Sequence, residues 1–477
     1  MKFYLIGLIL FSFLVLGCVP IVTNATPGTQ ENPTFTSSSG KIYYVSPTGS
    51  DSNSGTLSQP WRSPGYASRK LKPGDTLIIL GGTYILSEFD ADIISPTSGT
   101  QNAWITIKGE EGQRPILKGT NNLLTAIDLS GKKYVKIENL EITNYNNAQF
   151  RDGIEILNNR AEHIIFKDLY IHHLDEFGIN ISDVDGIEIL NCEISYCGFG
   201  AIGGPSGASG GWKNAKLNGC TLSYSGHYYQ GTSGPGPYDR PDGFGIEPSE
   251  GPIEILNTKV EHNRGDGLDS KAANTYIHEC IVANNFADGI KLWRRGSKIK
   301  NCLIYGRGDG DTTSTPWASI VIDAEGGGDF KIINTTIDDT VGHNYLIYVQ
   351  YDHPDIAINL DIVNTIFSAR GSNSPIYIAP SVRLMLSHNL FYMPRNSIIL
   401  TYNNINYTQS TISTLGEGNL YGDPLFVRTA FGNESDYRVQ STSPAIDNGT
   451  SQGAPTIDIL GNSRPQGGGF DIGAYER

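Results

Sequence analysis

Asp242-Gly243-Phe244-Gly245-Ile246-Glu247, Asp266-Gly267-Leu268-Asp269-Ser270-Lys271 and Asp288-Gly289-Ile290-Lys291-Leu292-Trp293 are one phrase written three times, with leading aspartates 24 and 22 residues apart. Between them run Ile253-Glu254-Ile255-Leu256-Asn257, Tyr276-Ile277-His278-Glu279-Cys280 and Lys298-Ile299-Lys300-Asn301-Cys302. Short alternating strands punctuated by Gly and Asn, returning at this period, predict a solenoid: a parallel β-helix with one coil per repeat. Equivalent residues of successive coils then stack about 4.8 Å apart. Asp242, Asp266 and Asp288 fall in one column, and Gly245, Asp269 and Lys291 in another. Taken singly, an Asp-Gly pair is ordinary turn chemistry. Asp269 and Lys291 instead lie inside strands, where they are either a solvated ion pair or part of a site.

The same alternation runs outward in both directions. Trp104-Ile105-Thr106-Ile107, Val135-Lys136-Ile137-Glu138, Ile164-Ile165-Phe166-Lys167 and Ile187-Glu188-Ile189-Leu190 put one apolar face inside the tube. Asn139, Asn191, Asn257, Asn301, Asn334 and Asn364 recur at the turns, suited both to left-handed backbone and to a side-chain ladder. Cys192, Cys220, Cys280 and Cys302 share one place in the repeat and are expected inward, as free buried thiols. Residues 200–241 interrupt the pattern with Gly, Ser, Pro and Tyr, as a ligand-contacting loop or a plain insertion. In 477 residues this predicts an all-β chain with a β-helix over 41–425 and a C-terminal capping segment over 426–477.

The first 18 residues, Lys2 followed by an apolar run and Leu16-Gly17-Cys18, are the pattern of a lipoprotein export signal with Cys18 as the lipidated residue. Residues 19–40, rich in Thr, Ser, Asn and Pro, are the expected disordered tether. The membrane is thus expected to be met only through the lipid. The net charge of −14 speaks against nucleic acid as partner. Its distribution is uneven: residues 264–307 hold eight Lys/Arg against four Asp/Glu, and 308–361 one against ten. A basic island over the repeated phrase suits an anionic ligand there.

Tyr43-Tyr44-Val45-Ser46-Pro47, Gln59-Pro60-Trp61, Lys72-Pro73-Gly74-Asp75 and Gly81-Gly82-Thr83-Tyr84 resemble the opening of exported right-handed parallel β-helix proteins, polysaccharide lyase family 9 among them. The resemblance extends over about residues 41–305. It implies a Ca²⁺ site on Asp242, Asp266 and Asp269 and a lysine base at Lys291. One departure is Gly265, where that family carries a further aspartate; this implies weaker Ca²⁺ binding. Lys271, Arg294, Arg295 and Asp288 are the candidate substrate contacts, the arginines by paired hydrogen bonds to uronates.

Three functions follow as expectations. The first is a monomeric, Ca²⁺-dependent lyase on an acidic, pectate-like polysaccharide. The second is a glycoside hydrolase on the same scaffold, which needs two carboxylates flanking a sugar. The third is a non-catalytic glycan-binding surface protein.

Overall fold

A computed structural model of the protein describes residues 40–120, 123–144, 150–306, 318–339, 345–350, 352–372, 375–429 and 436–477. The expected export signal, Cys18 and the tether up to residue 39 lie outside the described residues. Among the described residues most strands fall into three long sheets of 13, 13 and 12 strands, beside two small two-stranded ones. One coil contributes Ala161–Lys167 to the first sheet, Tyr170–Leu174 to the second and Phe177–Ile181 to the third. The next coil repeats this as Val184–Leu190, Glu193–Cys197 and Gly200–Gly203. Neighbours in a sheet come from successive coils and are parallel, the right-handed crossover of a parallel β-helix.

Alternation places the core. Ile137, Phe166, Ile189, Leu217, Ile255, Ile277, Ile299, Ile332, Ile362 and Leu386 are register partners in the first sheet, all buried. Each coil therefore seals its apolar face only against its neighbours, which is why the strands carry no information singly. The inward cysteines are where the spacing puts them: Cys192, Cys220, Cys280 and Cys302 are buried and unbridged, and so is Cys197. The six turn asparagines all have φ between 46° and 52°. Ladder bonds accompany them, such as Asn301 Nδ2 to Glu279 Oε1 (3.1 Å) and Asn364 Nδ2 to Asn334 Oδ1 (3.2 Å). Both roles hold.

Two expectations change. Residues 200–241 are not one excursion, because Trp212–Asn218 and Thr221–Ser223 complete an ordinary coil in the first and second sheets. Trp212 is buried, its Nε1 donating to Ile181 O (3.2 Å). Only residues 224–241 leave the solenoid. They dock back on it: Tyr228 sits edge-on to His173 (4.9 Å), and Gln230 N donates to Asp175 Oδ1 (2.8 Å).

The C-terminal segment runs along the flank rather than over the end. Its backbone binds the turn asparagines, with Asn301 Nδ2 donating to Ile457 O and Asn364 Nδ2 to Thr450 O, both at 2.7 Å. A buried Arg464–Glu476 pair (2.6 Å) and Tyr437 Oη donating to Asp338 Oδ2 (2.9 Å) fasten it. The third sheet ends instead in an antiparallel hairpin, Leu400–Tyr402 with Ile405–Tyr407. A pattern of short strands and turns cannot say whether a final segment covers an end or a side.

Candidate active site

The repeated phrase forms three consecutive strands of the third sheet, Asp242–Ser249, Leu268–Ala272 and Ile290–Leu292. Gly245 pairs with Asp269 and Asp269 with Lys291, the column the spacing implies. Asp242-Gly243 opens its strand, whereas Asp266-Gly267 and Asp288-Gly289 lie at bends just before theirs. Each glycine sits at a tight inner corner: a Cβ on Gly243 would lie 2.5 Å from Val260 Cγ1, and on Gly267 2.6 Å from Val282 Cγ1. Each aspartate bonds to the coil after it. Asp242 Oδ1 accepts from Asp266 N (2.7 Å), Asp266 Oδ1 from Asp288 N (2.8 Å) and Asp288 Oδ1 from Ala318 N (2.8 Å). The aspartate column is thus a chain of charge-assisted hydrogen bonds parallel to the solenoid axis.

This chain uses one oxygen of each carboxylate and leaves the other to the site. Asp269 is held likewise, its Oδ1 accepting from Trp293 Nε1 at 2.6 Å. Oxygens of Asp242, Asp266 and Asp269 all lie within 4.8 Å of one another. Two oxygens on opposite sides of a Ca²⁺ ion, at about 2.4 Å each, stand about 4.8 Å apart. Three hard oxygen donors, already oriented, therefore fit such a cation. Asp242 lies between two glycines: a Cβ on Gly245 would stand 2.5 Å from its Oδ2, and one on Gly265 2.3 Å from its Oδ1.

Electrostatics agree with the crowding. Burial, then Asp266 and Asp269, hold the Asp242 carboxyl well above the usual carboxylate range. Burial and Asp266 raise Asp269 to about 6 against the pull of Lys271 and Lys291. Burial and Asp266 raise Asp288 to about 7. The patch carries more negative charge than its lysines balance.

Lys291 Nζ stands 3.6 Å from Asp288 Oδ2 and 4.0 Å from Asp266 Oδ2, and 5.0 Å from the Trp293 ring centroid. A lysine base must be neutral to accept a proton, but the protein alone does not lower the Lys291 pKa. Burial does act to lower it, but Asp266, Asp288 and Asp269 outweigh burial and the net shift is upward. Lys271 Nζ binds Glu247 Oε1 (2.9 Å) and approaches Asp269 Oδ2 (3.7 Å).

Three candidate substrate contacts are placed elsewhere. Asp288 has no exposed surface, so it faces Lys291 from below and meets no substrate. Arg294 and Arg295 are exposed on the following turn and line a separate cleft of about 660 Å³ with Glu250 and Glu325. The cleft over the carboxylates is lined instead by Arg240, Asp242, Gly245, Glu247, Asp269 and Lys271 with Phe177 and Phe199. Of the residues not singled out in the sequence, Glu247 and Trp293 were legible there, being the sixth residues of their phrases, as Lys271 is of its own. Arg240, on the docked loop, carried no such signal.

Residues 43–223 match the family model of the Pel9A-like right-handed β-helix region, and residues 242–413 that of a right-handed β-helix region. Pectate lyase PEL9 of Emericella nidulans is 23% identical over 287 residues, 57% of this chain and 59% of that protein. The chain spans less than two thirds of the length of the curated relatives it matches. Among solved structures, the complex of XylC with xylose superposes with a TM-score of 0.62 at 11% identity, covering 91% of this chain and 99% of that one. Pectate lyase Pel9A superposes with a TM-score of 0.51 at 16% identity, covering 92% and 97%. At such identities the superpositions speak for the coil architecture, and the family model of the first half narrows the kind. This chain is a right-handed parallel β-helix protein, and its residues 43–223 are similar to the Pel9A-like right-handed β-helix region.

Proposed function

We propose that the protein is a Ca²⁺-dependent polysaccharide lyase that cleaves a uronate-containing glycan by β-elimination. The observation that carries this reading is the arrangement of Asp242, Asp266 and Asp269. Each accepts a hydrogen bond at Oδ1, and carboxylate oxygens of the three lie within 4.8 Å of one another, beside the Lys291 amine. A divalent cation held by those oxygens supplies positive charge against the negative charge that develops on the uronate carboxylate. Lys291 takes the proton from the carbon next to that carboxylate. The bond from the adjacent carbon to the glycosidic oxygen breaks, a carbon–carbon double bond forms, and the leaving oxygen is protonated from water. Lys271 and Arg240 line the cleft and pair with uronate carboxylates. Trp293 and Asp288 hold Asp269 and Lys291 in place.

The test is ultraviolet absorbance from unsaturated product, with calcium and with chelator, on pectate, alginate and glycosaminoglycans. New reducing ends without that absorbance would point to hydrolysis; neither signal, to a binding protein.

The raised carboxyls give this reading a pH signature. A carboxyl raised to about 6 or 7 is stabilising when protonated, and that stability is lost as pH rises through its folded value. The calcium-free protein should therefore lose melting temperature between about pH 4 and pH 7, and calcium should restore it. Calcium affinity by titration calorimetry should rise more than tenfold over the same interval, about one proton's competition. An affinity flat with pH would count against ligation by these groups.

The N-terminal reading belongs to the same proposal: export, and anchoring through lipid on Cys18. Cys18→Ala should move the protein from the membrane fraction of its host to the soluble one. Equal partition of both forms would remove the anchor.

A further inference from the structure

Both columns of the site continue past it on the same outer face. The aspartate column runs Asp288, Ala318, Tyr345, and the lysine column runs Lys291, Val321, Tyr348, Tyr377. Tyr348 and Tyr377 thus stand two and three coils beyond Lys291, about 10 and 14 Å along the axis. All three tyrosines are half-buried, while Ile347, Val349, Ile376 and Ile378 between them point into the core. The rings form one cluster. Tyr348 lies 4.8 Å from Tyr377 at 31°, and Tyr345 meets Tyr348 edge-on at 4.4 Å. Three half-buried phenol rings in register with an acidic patch are more than scattered surface apolarity.

Resting on the lyase reading, we propose that Tyr345, Tyr348 and Tyr377 form a stacking platform for an uncharged pyranose ring of the same glycan. An aromatic face packs against the C–H face of a sugar, and the phenol hydroxyls reach its hydroxyl groups. Charge decides the class of ring. The strands Ala318–Ile322, Tyr345–Val349 and Ile376–Ile378 contain no Lys or Arg. The charged neighbours just after the first two are Asp323, whose Oδ1 meets His353 Nδ1 at 3.1 Å, and Asp352, whose N–H donates to Asp323. A uronate there would find no cation on these strands and carboxylates just beyond them, whereas Lys271 lines the cleft and Lys291 stands beside Asp266. The glycan therefore presents a uronate at the carboxylates and a neutral sugar two to three coils on.

The full chain carrying Lys291→Ala, which leaves polymer uncut, is run with calcium in native gels. The gels contain either polygalacturonate or a pectin rich in neutral sugars. Tyr348→Leu and Tyr377→Leu keep apolar volume in these half-buried positions and should each weaken retention by the mixed pectin about fivefold, at low and high salt alike. Tyr→Phe at either position keeps the stacking ring and loses only the hydroxyl, so it should weaken retention less than the Leu change, and unchanged melting temperatures show that the fold persists. Retention of the Leu variants equal to the parent overturns the platform. A larger loss on polygalacturonate than on the mixed pectin overturns the neutral ring. A parent retarded by neither polymer overturns the proposal together with its glycan; absence of unsaturated product from the chain with Lys291 intact is read separately and bears on the lyase reading alone.

Discussion

Lys291→Ala is expected to lose about a thousandfold in turnover on the productive polymer, the middle of the range for removing a positioned acid–base group. The side chain is mostly buried, but its neighbours Ile290 and Leu292 carry the core contacts, so the coil should stay intact. Removing the amine also removes a positive charge from among Asp266, Asp269 and Asp288, so calcium binding should persist or tighten. A simple ion-pair role predicts something else: near-parent turnover with altered stability. Lys291→Arg separates the two further. Guanidinium keeps the charge but gives up its proton so reluctantly that most activity should still be lost. Because Asp266, Asp288 and Asp269 hold the ammonium form, parental activity should climb into the alkaline range. Turnover by Lys291→Ala within about threefold of the parent would remove Lys291 as the base.

Asp269→Asn should weaken calcium binding about a hundredfold while leaving the melting temperature of the calcium-free protein unchanged or higher. The amide oxygen can still accept from Trp293 Nε1, so geometry is preserved while charge is lost. Relief of the crowding that raises Asp269 to about 6 offsets any weakening of that bond. The contrasting variant is Gly265→Asp, the change that the departure from the family pattern suggests as a repair. It should not tighten calcium. A Cβ at 265 would lie 2.3 Å from Asp242 Oδ1 and 2.4 Å from the Arg240 carbonyl, and Gly265 N already donates to Pro241 O (2.8 Å). The loop that brings Arg240 to the cleft occupies the space a fourth carboxylate would need, so this variant should lose both stability and affinity. Calorimetry showing tighter calcium in Gly265→Asp would mean that the loop moves aside.

What the sequence determined by itself was everything that follows from period and alternation. A repeat of 22 to 24 residues fixes which residues are neighbours on successive coils, so the pairing of Gly245, Asp269 and Lys291 needed no coordinates. Alternation likewise decides inside from outside, which is how the buried cysteines and the left-handed asparagine turns were legible. The Trp212 coil was lost because its strand is flanked by Gly- and Ser-rich sequence that outweighs seven residues of weak alternation.

Only the tertiary structure decided the rest, for a common reason: contacts off the solenoid lattice obey no period. It set the docking of the C-terminal segment on the flank and Arg240 at the cleft. It sealed Asp288 beneath Lys291, a matter of depth rather than register. It also turned Gly265 from a missing ligand into a position without room for a side chain. The charge state of Lys291 belongs here too, since burial and three carboxylates compete within a few ångströms and only their arrangement says which prevails.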